Sequence, residues 1–182
     1  MNNSNVWIEA GYHNFAVAGL EGIPVERLAK ALDLNKSGYY HYFGNQDNFL
    51  ERLMDHHVRK STLLACEIHS IKQFDPDFFD CLIKYSDTTL VHMQLVRYRH
   101  LPLFGRSYST INGIVDRAIV PFWANYIGTP ENPEFALKYF KQVRDMFYSR
   151  ITQEDMNPVF IRNLFGEARE LVQELISESI PS

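Results

Sequence analysis

The chain has 182 residues, 46% hydrophobic and 22% charged, which is enough to bury the core of one or two globular domains. Its net charge of −4 does not fit the strongly basic composition of proteins that bind nucleic acid mainly by charge. It has no apolar run of about 18 residues, no basic and apolar leader, and only two cysteines, Cys66 and Cys81. A cytoplasmic protein without a membrane partner is therefore expected.

Residues 4–18 are predicted to form the first helix. Its apolar contacts are assigned to Val6, Ala10, Phe15 and Val17, with Trp7, Ile8 and Tyr12 alongside. Trp7 is interpreted as a core residue. Gly19 is expected to end the helix in a left-handed conformation, which glycine adopts without strain.

Residues 23–43 have the pattern of two helices joined by a tight turn. Pro24 suits the first helical position, where its missing N–H costs nothing. Apolar residues then recur at i, i+3, i+4 and i+7, namely Val25, Leu28, Ala29 and Leu32. Asn35 is a good N-cap for a second helix over residues 36–43. This layout is typical of a helix-turn-helix, whose second helix enters the major groove of DNA.

The sequences around this pattern make it more specific. Gly-Leu-Glu-Gly precedes it at residues 19–22, and Gly-Asn-Gln-Asp follows it at residues 44–47. Residues 36–43, KSGYYHYF, end in Tyr-His-Tyr-Phe. The block from about Val6 to Met54 resembles the N-terminal domain of the TetR family of bacterial transcriptional repressors, and residues 36–43 resemble that family's recognition helix.

The resemblance implies an all-α homodimer with two domains. Residues 1–47 would form a three-helix helix-turn-helix domain that binds a palindromic double-stranded DNA operator. Residues 48–182 would form a helical domain for ligand binding and dimerisation. The residues expected to face DNA are Val25, Glu26, Lys36, Ser37, Gly38, Tyr40, His41, Tyr42 and Gln46. Tyr39 and Phe43 are expected to point inward.

Several features weaken the expected DNA affinity. Residues 1–60 hold six basic and seven acidic side chains, which leaves a net charge of −1. The resemblance places a lysine where this chain has Gln46, and a threonine cap where it has Pro24. Glu26 would repel phosphate unless it accepts a hydrogen bond from a cytosine amine, and a solvated helix face is the simpler interpretation. Because phosphate contacts dominate affinity, modest and salt-sensitive binding is expected.

A long helix is predicted to start at a cap on Asp47 and to run to about Ile71. Its inner positions are assigned to Phe49, Leu50, Leu53, Met54, His57, Leu64 and Ile68. His56 and His57 point about 100° apart on a helix and cannot chelate one ion together, so a solvated or partly packed pair is expected. Cys66 is interpreted as a small core residue.

The middle of the chain is predicted to contain a break and two further helices. Residues 73–77 interrupt the helical pattern, and helices are expected over residues 77–99 and 107–127. A basic cluster lies at their junction and comprises Arg97, Arg99, His100 and Arg106. It either binds an anionic ligand or partner, or forms a solvated helix end that is favourable to the helix dipole.

The last two helices are predicted over residues 134–151 and 157–179, with wide apolar stripes. In the resembling family such helices pair with those of a second subunit as a four-helix bundle. The alternative is that the stripes serve only the subunit's own core. A two-fold operator needs two DNA-reading heads one turn apart, which favours the dimer.

No metal-ligand spacing, phosphate-binding loop or nucleophile motif is present, so neither an enzyme nor a bound cofactor is expected. The resemblance implies a small-molecule effector, and the aromatic helices favour an aromatic or apolar one. Candidate ligand-binding residues are Tyr85, His92, Met93, Tyr98, Phe104, Tyr108, Phe122 and Trp123, each of which could instead be core. Two other functions stay open: a ligand-binding or protein-interaction module that has lost operator binding, and a small helical enzyme or cofactor carrier.

Overall fold

A computed structural model describes residues 3–178 of the protein. Nine α-helices follow one another in this range: α1 (Asn3–Ala18), α2 (Val25–Leu32), α3 (Lys36–Phe43), α4 (Gln46–Ile68), α5 (Phe79–Lys84), α6 (Ser86–Tyr98), α7 (Pro102–Tyr126), α8 (Pro133–Arg150) and α9 (Pro158–Glu178). No strand occurs among these residues, which confirms the all-α class. Within the same range, no helix combines the length and apolarity needed to cross a membrane.

The described residues form two compact units. The first unit comprises residues 3–61 and 87–111, and the second comprises residues 62–86 and 112–178. The predicted division after residue 47 separates a DNA-reading part from a ligand-binding part. That distinction is functional, so the packing of the helices does not test it and it stays a prediction.

Helix α1 packs through aromatic side chains in the first unit. Trp7, Tyr12 and Phe15 are 1%, 2% and 0% exposed, and the prediction for Trp7 is confirmed. The predicted inward packing of Val6 and Val17 is wrong, because these side chains are 38% and 49% exposed. At 100° per residue, both valines lie on the side of the helix opposite the aromatic residues. The larger rings bury more apolar area and so determine which face turns inward.

Two glycines shape the turn that follows α1. Gly19 has φ = +59°, which confirms the left-handed helix end predicted for it. Gly22 lies against the preceding helix, where a Cβ atom would come within 2.3 Å of the carbonyl oxygen of Asn14. The short 3₁₀ helix over Gly19–Gly22 therefore depends on residues without a side chain.

Gly11 lets α1 approach α4 closely, and this contact yields a prediction about stability. A Cβ atom on Gly11 would lie 2.4 Å from Cζ of the fully buried Phe49. Gly11→Ala should therefore destabilise the protein by about 1–3 kcal/mol through overpacking. The matched control is Gly166→Ala in α9, where nothing lies within 4 Å. That change should stabilise by about 0.5–1 kcal/mol. Urea denaturation of both variants checks the opposite signs, and a neutral Gly11→Ala would contradict this account of the packing.

The core of the second unit is an aromatic cluster. Its main members are at most 2% exposed and comprise Phe74, Phe79, Trp123, Phe147 and Phe165. Phe79 stacks on Phe165 with ring centroids 5.6 Å apart, and Phe74 lies 5.2 Å from Trp123. Such pairs add specific ring geometry to the burial of large apolar surfaces.

The single helix predicted over residues 77–99 is wrong, because two helices, α5 and α6, occupy this range. The helical pattern stops at Tyr85, which has φ = −102° and ψ = 37°. The ammonium of Lys84 contacts Oε1 of Glu67 at 2.7 Å, and the Tyr85 hydroxyl donates to Oε2 at 2.9 Å. Both bonds reach across to α4, so tertiary contacts accompany a break that the helical periodicity does not show.

Other boundaries and one core assignment also differ from the predictions. Helix α4 ends at Ile68 instead of about Ile71, and α7 begins at Pro102 instead of residue 107. Proline fits the first turn of a helix, which accounts for the earlier start of α7. Cys66 is exposed, so its assignment to the core is wrong. Cys81 is buried, and its burial raises the pKa of the thiol to about 11.

The last two helices agree with their predicted bounds to within one residue over the described range. Part of the apolar stripe of α9 serves the second unit, since Phe165 and Val172 are each 2% exposed. Leu171 and Leu175 are 58% and 63% exposed and lie one turn apart. Part of the stripe therefore lies outside the core of the second unit, and pairing with a second subunit stays a prediction.

Candidate nucleic-acid interface

Two short helices, α2 and α3, are joined by a turn with defined caps. Asp33 adopts a left-handed conformation with φ = 53° at the end of α2. Asn35 precedes α3, and its side-chain oxygen accepts a hydrogen bond from the Ser37 backbone N–H at 3.0 Å. Helix α3 begins and ends at the predicted residues, and Asn35 is confirmed as its N-cap. Pro24 is the N-cap residue of α2 and not its first helical residue as predicted.

Aromatic side chains fix the inner face of α3. Tyr39 and Phe43 are 1% and 4% exposed, which confirms that they point inward. The Tyr39 ring lies 5.5 Å from Trp7 and 5.1 Å from Phe49, and Phe43 lies 5.0 Å from Phe49. Burial raises the pKa of the Tyr39 hydroxyl, so it stays neutral at physiological pH. The helix is thereby held rigidly against α1 and α4.

The outer face of α3 carries polar groups within reach of a partner. Its predicted DNA-facing residues are exposed at Lys36, Ser37, Tyr40 and His41, and half-buried at Gly38 and Tyr42. The Tyr40 side chain, the largest of the exposed ones, is 50% exposed. Together they offer an ammonium, hydroxyls, an imidazole and, at Gly38, a backbone without a side chain. Hydroxyl and ammonium donors of this kind bind phosphate oxygens and base edges.

Lys36 is paired with Glu26 of α2. The Lys36 ammonium donates to Glu26 Oε1 at 2.9 Å, and the two side chains are 51% and 63% exposed. This hydrogen bond lowers the pKa of the Glu26 carboxyl, which stays ionised at neutral pH. A phosphate that approaches this face would therefore compete with Glu26 for Lys36. The sequence pattern marks both residues as facing outward but does not show that they pair.

The start of α4 borders the same face. The Asn45 side-chain oxygen accepts from the Asn48 backbone N–H at 2.9 Å, so Asn45 and not Asp47 provides the cap. The Asn48 amide also donates to the carbonyl oxygen of Phe43 at 2.9 Å, which ties α4 to the end of α3. Gln46, the first residue of α4, is exposed, and Val25 at the start of α2 is half-buried. A DNA role for either residue stays a prediction.

Two comparisons with known proteins leave the family open. No family model matches the chain, and no curated protein matches its sequence. Within residues 3–178, no group of three or more His, Cys, Asp or Glu side chains is arranged to hold a metal ion.

A buried histidine cluster lies behind α1 in the first unit. His57 is 0% exposed, so a solvated or partly packed position is wrong for it. Its Nδ1 atom is 2.8 Å from the Tyr12 hydroxyl, and its ring lies 5.7 Å from that of His92. His92 stacks on Tyr108 at 5.4 Å. Burial lowers the pKa of His57 well below its usual value, and the nearby His92 and His56 lower it further.

The buried histidine predicts a pH dependence of stability. Because the folded-state pKa of His57 lies below the unfolded value of about 6.5, unfolding takes up a proton at acidic pH. The free energy of unfolding should be constant above pH about 6.5 and fall below it, by up to about 1.4 kcal/mol per pH unit. His56 adds to the fall, since burial also lowers its pKa. Urea denaturation at several pH values measures the slope.

Variants separate the cluster from the exposed histidines. His57→Leu should flatten the slope, and His41→Gln on the exposed face of α3 is the control for removal of an imidazole outside the cluster. An equal slope in wild type and His57→Leu would contradict the assignment.

The candidate ligand-binding residues fall into both units. His92, Met93, Tyr98, Phe104 and Tyr108 lie in the first unit, and Tyr85, Phe122 and Trp123 lie in the second. In the first, Tyr98 and Phe104 pack with ring centroids 5.9 Å apart. In the second, Trp123 is fully buried and Phe122 borders an open cleft. A ligand role for these residues stays a prediction.

The basic cluster at the start of α7 is exposed to solvent. Arg97, Arg99, His100 and Arg106 all have exposed side chains. Arg106 borders a cleft of about 400 Å³ that also contains the carboxylates of Glu51 and Asp55. These acids oppose anion binding in that cleft, which favours the interpretation as a solvated helix end.

Proposed function

We propose that the chain is a TetR-like transcriptional regulator that binds a palindromic operator as a homodimer and responds to a small-molecule ligand, with repression the expected outcome. Helices α2 and α3 would act as the helix-turn-helix, and α3 would enter the major groove. The proposal assigns the protein no catalytic step and implies a cytoplasmic location, where the DNA is.

The observation that carries the proposal is the two-sided character of α3. Its inner side is fixed by Tyr39 and Phe43, while Lys36, Ser37, Tyr40 and His41 are held outward. A short helix with a rigid apolar anchor and an accessible polar face has the form required for reading DNA. The helical spacing of these four residues on α3 supports the proposal, because it lets them face one partner together.

Exposed apolar residues support a homodimer. On α9, Val159, Leu171, Leu175 and Ile176 are 39–66% exposed, and Phe135 on α8 is 39% exposed. Apolar side chains at Leu171 and Leu175 face one direction and resemble the inter-subunit seam of a helical bundle. Pairing of these helices in two copies would give a two-fold dimer, and a palindromic operator needs two DNA-reading helices about 34–36 Å apart.

The test begins with selection of bound sequences from a randomised duplex library. Affinity for the selected duplex and for a scrambled one is then measured by fluorescence anisotropy at about 50 and about 200 mM salt. Tyr40→Ala is compared with Leu63→Ala, which shortens a 56% exposed side chain on α4. We expect sequence-selective binding that Tyr40→Ala weakens about tenfold or more, because two copies of the hydroxyl are lost per dimer.

The same experiment separates the rival function. A binding or interaction module on this fold would select no common sequence, and its weak binding would be equal on scrambled DNA. The net charge of −1 over residues 1–60 favours that outcome, and the polar face of α3 favours the regulator. Binding unchanged in Tyr40→Ala would refute the role of α3.

A further inference from the structure

An open cleft of about 470 Å³ lies entirely within the second unit. It is formed by the segment after α4, the C-terminal part of α7 and one face of α9. Its volume falls within the range of roughly 300–1,000 Å³ that small-molecule sites occupy. The lining residues used below are Lys72, Asp75, Phe122, Tyr126 and Arg169.

Two cations in the cleft, Arg169 and Lys72, have no acidic partner among residues 3–178. The guanidinium of Arg169 forms no hydrogen bond or ion pair with any residue between 3 and 178, and its Nε atom is buried. Its contact is with the ring of Tyr126, whose centroid is 4.8 Å from the guanidinium carbon. The ammonium of Lys72 likewise has no ion pair within this range. Neighbouring Glu170 is exposed and does not pair with Arg169.

Among residues 3–178, Asp75 is the carboxylate that lines the cleft, and its charge is already neutralised. Asp75 accepts two hydrogen bonds from Arg162: Nη2 donates to Oδ1 at 3.0 Å and Nε donates to Oδ2 at 3.2 Å. This fork-to-carboxylate geometry is the strong form of an ion pair. The remaining charge in the cleft is therefore positive, which favours an anionic ligand.

The wall of the cleft is aromatic and fixed in place. Tyr126 stacks on Phe74 with ring centroids 4.7 Å apart and an interplanar angle of 28°. Phe122 adds a half-buried ring at the same cleft. Oδ2 of Asp77 accepts hydrogen bonds from the backbone N–H groups of Lys72 and Gln73 at 2.9 and 3.2 Å. These bonds hold the segment that carries Lys72.

We infer that this cleft binds a small aromatic carboxylate. The carboxylate would pair with Arg169 and Lys72, and the ring would lie against Tyr126 and Phe122. Arginine suits this role because its planar donors match a carboxylate, while aromatic walls select a flat ring over an aliphatic or purely inorganic anion. The site lies within one unit and does not depend on whether the protein binds DNA.

The experiment titrates the full chain, without DNA, with benzoate, 3-phenylpropionate and 2-naphthoate by isothermal calorimetry. Each acid is compared with its neutral primary amide, and inorganic phosphate serves as the non-aromatic anion. Near-ultraviolet circular dichroism gives a second readout, since Trp123 lies 5.9 Å from Tyr126. We expect at least one acid to bind, at least tenfold more tightly than its amide and than phosphate.

Three variants locate the site. Arg169→Gln should weaken binding of that acid at least tenfold, and Lys72→Gln, an exposed change that does not threaten folding, at least threefold. Arg150→Gln removes an equal charge from the exposed end of α8, outside the cleft, and should leave binding unchanged. Thermal unfolding confirms that each variant is folded.

Several results would overturn the inference. The first is that none of the three acids binds at millimolar concentration. The second is that the amide or phosphate binds as tightly as the acid. The third is that neither Arg169→Gln nor Lys72→Gln weakens binding of the acid. Because DNA is absent, each of these results leaves the proposed operator binding standing, and failure of operator binding leaves this site standing.

Discussion

Arg144→Leu is expected to lower the free energy of unfolding by about 3–5 kcal/mol. In the second unit, Nη1 of Arg144 on α8 donates to Oδ1 of Asp116 on α7 at 2.5 Å. The two side chains are only 10% and 8% exposed. Removing the arginine leaves the aspartate charge buried without its cation, and desolvation of that charge outweighs any apolar gain from leucine. Urea denaturation of wild type and variant measures the loss.

A double-mutant cycle decides whether the loss comes from the orphaned charge. Asp116→Leu should be similarly costly, whereas the double variant should be much more stable than the sum of the single losses predicts. Lys138→Ala is the control, because Lys138 pairs with Glu134 at 2.8 Å on the surface and should have little effect. Additive losses, or a loss below about 1 kcal/mol for Arg144→Leu, would contradict this interpretation.

The first and last residues of α3 are predicted correctly from signals that act over a few residues of the chain. A helix N-cap such as Asn35 acts within three residues, and a glycine such as Gly44, with φ = 72°, ends a helix within one. Periodicity likewise separated the inward Tyr39 and Phe43 from the outward Tyr40. The ends of α3 and the orientation of its side chains depend on residues that are close in the chain, so both can be predicted from the sequence.

Contacts between distant positions could not be predicted in the same way. The sequence predicts that Glu26 and Lys36 both lie on the outer face. It does not predict the turn geometry that brings their side chains within 2.9 Å, because the two residues are ten positions apart in the chain. His57 at an inner position gave no sign of the depth of its burial. The break at Tyr85 follows no glycine or proline, and its bond to Glu67 is a tertiary contact.

Competition for burial accounts for the remaining errors. Val6 and Val17 are apolar, yet α1 buries the face that holds Trp7, Tyr12 and Phe15. A helix with apolar residues all round has no periodicity strong enough to fix its inner face, and the larger side chains then decide. Cys66 is also apolar but exposed. Its neighbours Ala65 and Ile68 lie on the buried side of α4, so Cys66 lies on the side that faces solvent.

Substitutions of Lys36 and Glu26, which form an ion pair on the proposed DNA-binding face, are expected to have opposite effects on DNA binding. Lys36→Met should weaken specific binding about 5- to 150-fold, which corresponds to the roughly 1–3 kcal/mol carried by a good base contact. It should also lower the slope of log affinity against log salt by about 1 per copy that contacts phosphate. Glu26→Gln should raise affinity about fivefold at low salt, because it removes a negative charge and releases Lys36.

The control for the acidic change is Glu51→Gln, which alters the charge of the first unit equally but lies on α4, outside the proposed face. Anisotropy with the selected duplex, from about 50 to about 200 mM salt, gives both affinities and slopes. An equal gain from Glu26→Gln and Glu51→Gln would show that only the net charge matters. No change in either Lys36→Met or Glu26→Gln would remove the pair from the interface.

The signs of the two changes carry more information than either affinity alone. If the pair makes only a nonspecific contact with the polyanion, each substitution should change the affinity for scrambled DNA and for the selected duplex by the same factor. This follows because counterion release is independent of sequence. A base contact by Lys36 would instead make Lys36→Met lose discrimination between the duplexes, while Glu26→Gln would gain affinity on both. The Glu26–Lys36 ion pair would then compete with phosphate or a base for Lys36, which would make operator binding selective at the expense of affinity.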